Sequence, residues 1–255
     1  MGKKYIAPSV KKTFEILRVV SAAKEGIGIS ELAKELKLAK STVHGMTSAL
    51  EEVGALNRDP VSKKYSLGFT LFELGRKAYA RIDLKDLARP VLDDLMEKTQ
   101  TSVFLGVRNW EHVTVLDIVE SRDDLKITSP IGTTIPLLAG AVGKVFLASM
   151  NEEKANYIIR THGLTKYTEH TITDPAKYEE EINRVRQNGY AIDDEEYILG
   201  VKAVAASIKG ERRAAIWSVG FKASLNEEKM RVLIAATKNA AESINRLIDE
   251  NSLRP

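Results

Sequence analysis

The sequence predicts an α+β protein in two parts. A helical start closed by a small β-hairpin comes first, followed by a unit built on an antiparallel sheet flanked by helices. Three observations predict this. Apolar residues recur at helical spacing through residues 8–53 and again over 68–82. Longer strand-like runs, bounded by turn residues, begin only after residue 100. Charge is also divided unevenly: residues 1–70 hold 12 Lys/Arg against 7 Asp/Glu, whereas 71–255 hold 26 against 28. A basic excess confined to the first quarter points to a polyanionic partner for that part.

Composition narrows the field further. With 44% hydrophobic and 29% charged residues over 255 positions, the chain has ordinary globular composition, which excludes disorder and collagen-like repeats. It contains no cysteine, so disulfides, thiol nucleophiles and cysteine-held zinc or iron–sulfur centres are excluded, and a reducing cytoplasm is the expected location. The longest apolar stretch, Ile135 to Gly143, is far below the roughly 18 residues that suggest a membrane span, and no apolar export region follows the first residues.

Taken in order, Val10, Phe14, Leu17 and Val20 recur as one face of a first helix, ended by the Lys24-Glu-Gly-Ile-Gly28 loop. A second helix follows Ser30, with Ile29, Leu32, Ala33 and Leu36 on its apolar edge. After a tight connection at 37–39, a third helix begins near Ser41, the expected N-cap, with Val43, Met46, Leu50 and Val53 inward. Gly54 stops it. Runs at 55–58 and 64–67 flank an Asp59-Pro60 turn signal and form a hairpin. Residues 68–82 return to helical spacing through Leu71, Leu74, Ala78 and Ile82, as a connector between units 1–67 and 83–255.

In the second unit a helix is expected at 84–98, with Pro90 starting or kinking it. Strands are expected at 101–108, 112–119, 124–130, 189–193, 202–209 and 213–220, and helices at 140–148, 151–160, 174–187 and 226–250. Hairpin turns fall at Asn109-Trp-Glu111 and Gly210-Glu-Arg212.

The pair of helices at 29–53 carries the sharpest functional signal. With its apolar stripe inward, the third helix presents Ser41, His44, Gly45 and Ser48 outward, with Lys40 and Thr42 in its first turn. Short polar side chains on a free face suit a helix lying in the DNA major groove, and its N-terminus favours phosphate. Arg58, Lys63 and Lys64 on the hairpin suit sugar-phosphate contacts, which supply affinity more than sequence reading. The whole reads as a winged helix-turn-helix on double-stranded DNA. A plain three-helix core with a solvated charged surface is the alternative, which the hairpin and local charge disfavour.

In these segments the chain resembles the IclR-type transcriptional regulators over essentially its whole length. The resemblance lies in Ile29-Ser-Glu-Leu-Ala33, Leu38-Ala-Lys-Ser-Thr-Val-His44, Leu50-Glu-Glu-Val-Gly54, Leu84-Lys-Asp-Leu-Ala-Arg-Pro90, Gly143-Lys144, Val185-Arg-Gln-Asn-Gly-Tyr-Ala191 and Asp193-Asp-Glu-Glu196. It implies a winged helix-turn-helix, a linker helix and a GAF/PAS-like effector-binding domain, working as a homodimer or homotetramer on operator DNA. It also implies a pocket lined by Leu138, Ala141, Val142, Asp193, Ala203 and Ser218, for a small-molecule effector such as an organic acid or aromatic metabolite. Two departures matter: Gly45 stands where the family usually has arginine, and Ala203 where many relatives have cysteine.

Enzymatic readings fare poorly on residue inventory. Gly140-Ala-Val-Gly-Lys144 lacks the phosphate-loop glycine at Leu138 and the hydroxyl at Val145. The histidines (44, 112, 162, 170) have no metal-ligand spacing, and adjacent acids at 193–196 point in different directions, so no catalytic residue, metal or cofactor is expected. A solvated acidic turn is the alternative reading of 193–196. A small-molecule-binding enzyme with an accessory nucleic-acid-binding domain remains the alternative function.

Overall fold

The structure, a computed structural model, describes residues 7–79, 84–208 and 214–252. These fall into two compact units, one before and one after residues 80–83. Among the described residues no helix is long and apolar enough to cross a membrane.

The first unit runs α1 (Pro8–Ala22), α2 (Ile29–Glu35), α3 (Lys40–Glu52), β1 (Leu56–Arg58), β2 (Tyr65–Leu67) and α4 (Phe69–Tyr79). Its core joins Ile16 and Val20 to Leu32, Val43, Leu50 and Tyr65. The inward stripe of α1 therefore differs from the expected one: Val10 and Phe14 are 56% and 61% exposed, while Ile16 is fully buried. Two stripes satisfied the helical period, and only packing chooses between them. On α3, Val53 is exposed and Thr47 is buried instead, its hydroxyl satisfied by the Val43 carbonyl at 2.9 Å. Nor is Ser41 the cap of α3. The helix starts one residue earlier, after Ala39, and no side chain caps it. Leu71 packs on this core but Leu74 is exposed, and the side chains of Ala78 and Ile82 lie outside the described set.

The hairpin forms as expected, pairing Leu56 with Leu67 and Arg58 with Tyr65. Asp59 holds its turn: one carboxylate oxygen accepts from the Val61 amide at 3.0 Å and the Ser62 amide at 2.6 Å. These bonds, with the Ser62 hydroxyl, draw its carboxyl below the usual range. An antiparallel bridge between Ile27 and Tyr65 ties the hairpin to the loop before α2.

The second unit contains α5 (Leu84–Thr99), β3 (Ser102–Asn109), β4 (His112–Val119), β5 (Thr134–Pro136), α6 (Gly140–Ala148), α7 (Glu152–His162), α8 (Pro175–Asn188), β6 (Ala191–Asp194), β7 (Val201–Ile208), β8 (Ala214–Phe221) and α9 (Glu227–Ser252). One antiparallel sheet, in the order β5-β4-β3-β8-β7-β6, forms its centre. On one face α6, α7 and α8 share a core with Phe104, Val115, Ala203, Trp217 and Val219. On the other, Leu233 of α9 and Leu225 from the turn before it cover Val204, and α5 packs beside α9 against β3 and β4. Asn151 and Asp174 cap α7 and α8 by accepting the amides of Lys154 and Lys177. Pro90 neither starts nor ends α5, which continues through it.

One expected strand is absent. Residues 126–130 pair with nothing regular, and the edge strand is β5 instead. The expected turn Gly210-Glu-Arg212 lies outside the described residues.

Candidate functional site

Two sites emerge, one on each unit. On α3, burial of Val43, Thr47 and Leu50 turns Lys40, Ser41, Thr42, His44, Gly45 and Ser48 to the outside, and all six are exposed. His44 Nδ1 and Ser48 Oγ are 3.2 Å apart, one turn along the same face. A Cβ built on Gly45 would meet nothing within 4 Å, so the face is open there. On the hairpin Arg58 and Lys63 are exposed and Lys64 is half-buried; the Arg58 guanidinium lies over the Tyr65 ring, 5.6 Å from its centroid. Lys63 sits in the left-handed region at φ 60°, which tightens the wing turn. Among the described residues of 7–79 no salt bridge neutralises these cations. They remain available to an anion.

On the second unit a cavity of about 230 Å³ lies between the sheet and the start of α6. Phe104 and Trp217 are paired across β3 and β8, with rings stacked 5.3 Å apart at 8°. They form one wall, and Val115, Val201, Ala203 and Val219 extend it. From the segment of the expected strand, Ile127, Thr128 and Ser129 also line the cavity. At the far end lie Gly140, Ala141 and Val142 of α6 together with Asp193 and Tyr197. Among the described residues, no lysine, arginine or histidine lines it.

Sequence and chemistry converge at that end. No side chain caps the start of α6, so its first amides face the cavity unpaired by a cap. Gly140 at φ 64° turns the chain into the helix. Asp193, only 5% exposed, accepts the Glu196 amide at 2.7 Å through Oδ1, while Oδ2 lies towards Gly140. Burial pushes its carboxyl above the ordinary range, against the pull of the Glu196 and Tyr197 amides and the charge of Lys144.

The acidic run is no solvated turn. Lys144, 1% exposed, points away from the cavity and donates to the Ile192 carbonyl at 2.8 Å and to Glu196 Oε1 at 2.5 Å, with Glu181 at 3.6 Å. Burial raises the Glu196 carboxyl and Lys144 opposes that rise. Glu195 is buried and bound by the Gly200 amide and Lys222. From the loop before α8, Thr168 and Thr171 donate to the carbonyls of Glu195 and Glu196, and Tyr167 meets Tyr197 edge-on at 4.9 Å. Asp193 is thus held at both flanks.

Of the six expected pocket residues, Ala141, Val142, Asp193 and Ala203 line this cavity. Ser218 does not. Strand alternation turns Trp217 and Val219 to the cavity and Ser218 to the opposite face, where its hydroxyl lies 3.0 Å from that of Thr237 on α9. Leu138 is also excluded. It packs into the core beside the cavity, and its carbonyl accepts the Tyr178 hydroxyl at 3.3 Å. Sequence reasoning missed Phe104, Trp217 and Tyr197. The alternation of 213–220 held the signal for Trp217, since Trp217 and Val219 share a face that Ser218 does not.

A recognition-type helix with a basic wing, followed by a sheet unit enclosing a small cavity, defines a ligand-responsive transcriptional regulator. Comparison with known proteins agrees. Residues 9–60 match the IclR helix-turn-helix domain, and residues 76–246 match the bacterial transcriptional regulator IclR C-terminal domain. The chain belongs to the IclR family. It is 32% identical to the HTH-type transcriptional regulator KipR of Bacillus subtilis over 228 residues, covering 88% of this chain and 91% of that protein. An IclR transcriptional regulator from Alicyclobacillus acidocaldarius superimposes with a TM-score of 0.79 at 26% identity, covering 95% and 99% of the two chains. An IclR homolog complexed with 4-hydroxybenzoate from Microbacterium hydrocarbonoxydans shares the fold at a TM-score of 0.76 and 20% identity, over 95% and 99% of the chains. Its curated relatives are transcriptional regulators and repressors, which sets the enzymatic alternative aside.

Proposed function

We propose that residues 1–67 dock on operator half-sites, with α3 in the major groove and the wing along the backbone. Residues 68–82 then link them to an effector-binding and oligomerisation domain, 83–255. Lys40, Ser41, Thr42, His44, Gly45 and Ser48 face the bases and nearest phosphates in this reading, and Arg58, Lys63 and Lys64 meet the sugar-phosphate chain. The protein acts in the cytoplasm as a homodimer or homotetramer.

For the effector, the observation that carries the reading is the meeting of uncapped α6 amides and a buried carboxylate at one end of an otherwise apolar cavity. That arrangement suits a small organic molecule with an aromatic or apolar body. Its hydroxyl donates to Asp193, and an oxygen of the same molecule accepts from the α6 amides. The known 4-hydroxybenzoate complex of a homolog supports this class and supplies a first probe. The test is a thermal-shift screen of phenols, hydroxybenzoates and small keto and hydroxy acids against wild type and Asp193→Ala. Stabilisation by a member of these classes in wild type and not in the variant is expected. Equal stabilisation of both removes Asp193 from the site.

A further inference from the structure

β4 serves two sides of its sheet within three residues. Val113 and Val115 belong to the core on the cavity side, and Val115 lines the cavity itself. Opposite them the ladder slips: Gly106 pairs with Val115 but Leu105 pairs with Asp117, so Leu116 is the extra residue of a β-bulge. Without the bulge Asp117 would share the face of Val115. With it, Asp117 turns to the other face, is 2% exposed, and meets α5.

There two cations hold it. Arg89 Nη1 donates to Asp117 Oδ2 at 3.3 Å and also to the Ile118 carbonyl at 3.4 Å, and Lys85 Nζ lies 3.7 Å from Oδ1. Both belong to the first part of α5, ahead of Pro90. Proline lacks an amide, so the backbone ladder of α5 is short of one hydrogen bond at that point, and Arg89 Nε spans it to Asp93 Oδ1 at 3.1 Å. The start of α5 is thus tied by Arg89 both to the rest of its helix and to β4. It is also the first element after residues 80–83, through which the chain reaches the DNA-binding unit.

We propose that Asp117 is the positioning residue that couples the cavity wall to the start of α5, so that a change in cavity filling at Val115 is felt at Lys85 and Arg89. The bulge makes this coupling possible, because it puts a cavity-lining residue and a gripping carboxylate on opposite faces of one strand two residues apart. The inference rests on the cavity being the effector site, but the link itself is a property of the free protein.

The test needs no effector. Val115→Phe on the full chain fills the cavity from β4, and hydrogen–deuterium exchange is read at the amides of 85–89, with α1 of the first unit as the internal reference. The variant is expected to change exchange over 85–89 by about threefold or more, with α1 unaltered. In an Asp117→Asn background the same cavity substitution is expected to change it little, whereas Arg89→Lys, which keeps the charge, retains the response. Should Val115→Phe fail to fold, Val115→Ala gives the same comparison by enlarging the cavity. An equal response with and without Asp117, or none in the wild-type background, overturns the proposal. A purely structural role for Asp117 would raise exchange in its variant but leave the effect of the cavity substitution intact. Because no effector enters the experiment, either result leaves the thermal-shift test of the effector site standing on its own.

Discussion

Gly140 and Asp193 approach so closely that a Cβ on the glycine would lie 3.0 Å from Asp193 Oδ2. The glycine also has φ 64°, which an L-residue adopts at a cost of about 1–2 kcal/mol. Gly140→Ala is therefore expected to lose about that much stability in urea unfolding, and to weaken effector-induced thermal shifts by pushing the carboxylate aside. An alanine variant that binds the effector as tightly as wild type would show that this close approach is not part of the site.

The Lys144 ammonium holds down two buried carboxyls, Asp193 and Glu196, whose values burial already raises. In Lys144→Met both rise further. A carboxyl raised in the folded state contributes stability below its unfolded value, about pH 4, and loses it as pH climbs through the folded value. The deficit of the variant is thus expected to be smallest in acid and to grow towards neutrality. Because Glu196 and Glu181 keep some solvent contact, a loss near 3 kcal/mol at pH 7 is expected, at the low end for breaking buried pairs. Lys144→Met with Glu196→Gln is expected to recover part of it. Unfolding curves measured from pH 4 to 8 decide the matter, and a deficit independent of pH refutes this account.

A Cβ on Gly45 would meet nothing within 4 Å, so the backbone there has room for a side chain to begin. Gly45→Arg is expected to raise the melting temperature, since glycine costs about 1 kcal/mol in a helix interior. It is also expected to change which sequences are enriched when the protein selects from a random DNA pool. If selection returns the same site for both proteins, position 45 does not face the bases.

Wing and helix are expected to fail differently. Arg58→Ala and Lys64→Ala are expected to weaken binding to all DNA alike and to lower the salt slope by about 0.9 for each phosphate no longer neutralised. His44→Ala and Ser48→Ala are expected to shift base preference, and each also breaks the 3.2 Å hydrogen bond that joins the two side chains. Affinities across a salt series, on operator and random DNA, separate the two. A uniform loss from both pairs would contradict the assigned faces.

How much of this was readable beforehand depends on the element. Helices α1 to α3, the wing turn and α6 to α9 followed from period and turn chemistry, within a residue or two, while the end of the expected 68–82 helix lies outside the described residues. Val10 and Phe14 did not, because period alone cannot choose between two stripes on one helix. Residues 124–130 alternate like a strand, yet Ile127 reaches the cavity and Leu125 is 73% exposed, with no neighbouring strand to pair. The cavity end of α6 and Asp193 came from family resemblance. The lysine and threonine bonds that hold the acidic run in place join residues up to 52 positions apart, which no local pattern encodes.

Both margins of the sheet are brief. β5 spans three residues and finishes in Pro136, which has no amide to offer, and β6 spans four. A strand added from another molecule would find only a short ladder on either of these two edge strands. In the homodimer or homotetramer proposed above, contacts through side chains on helices and loops could then be retuned by surface substitutions without disturbing the backbone ladder that shapes the cavity.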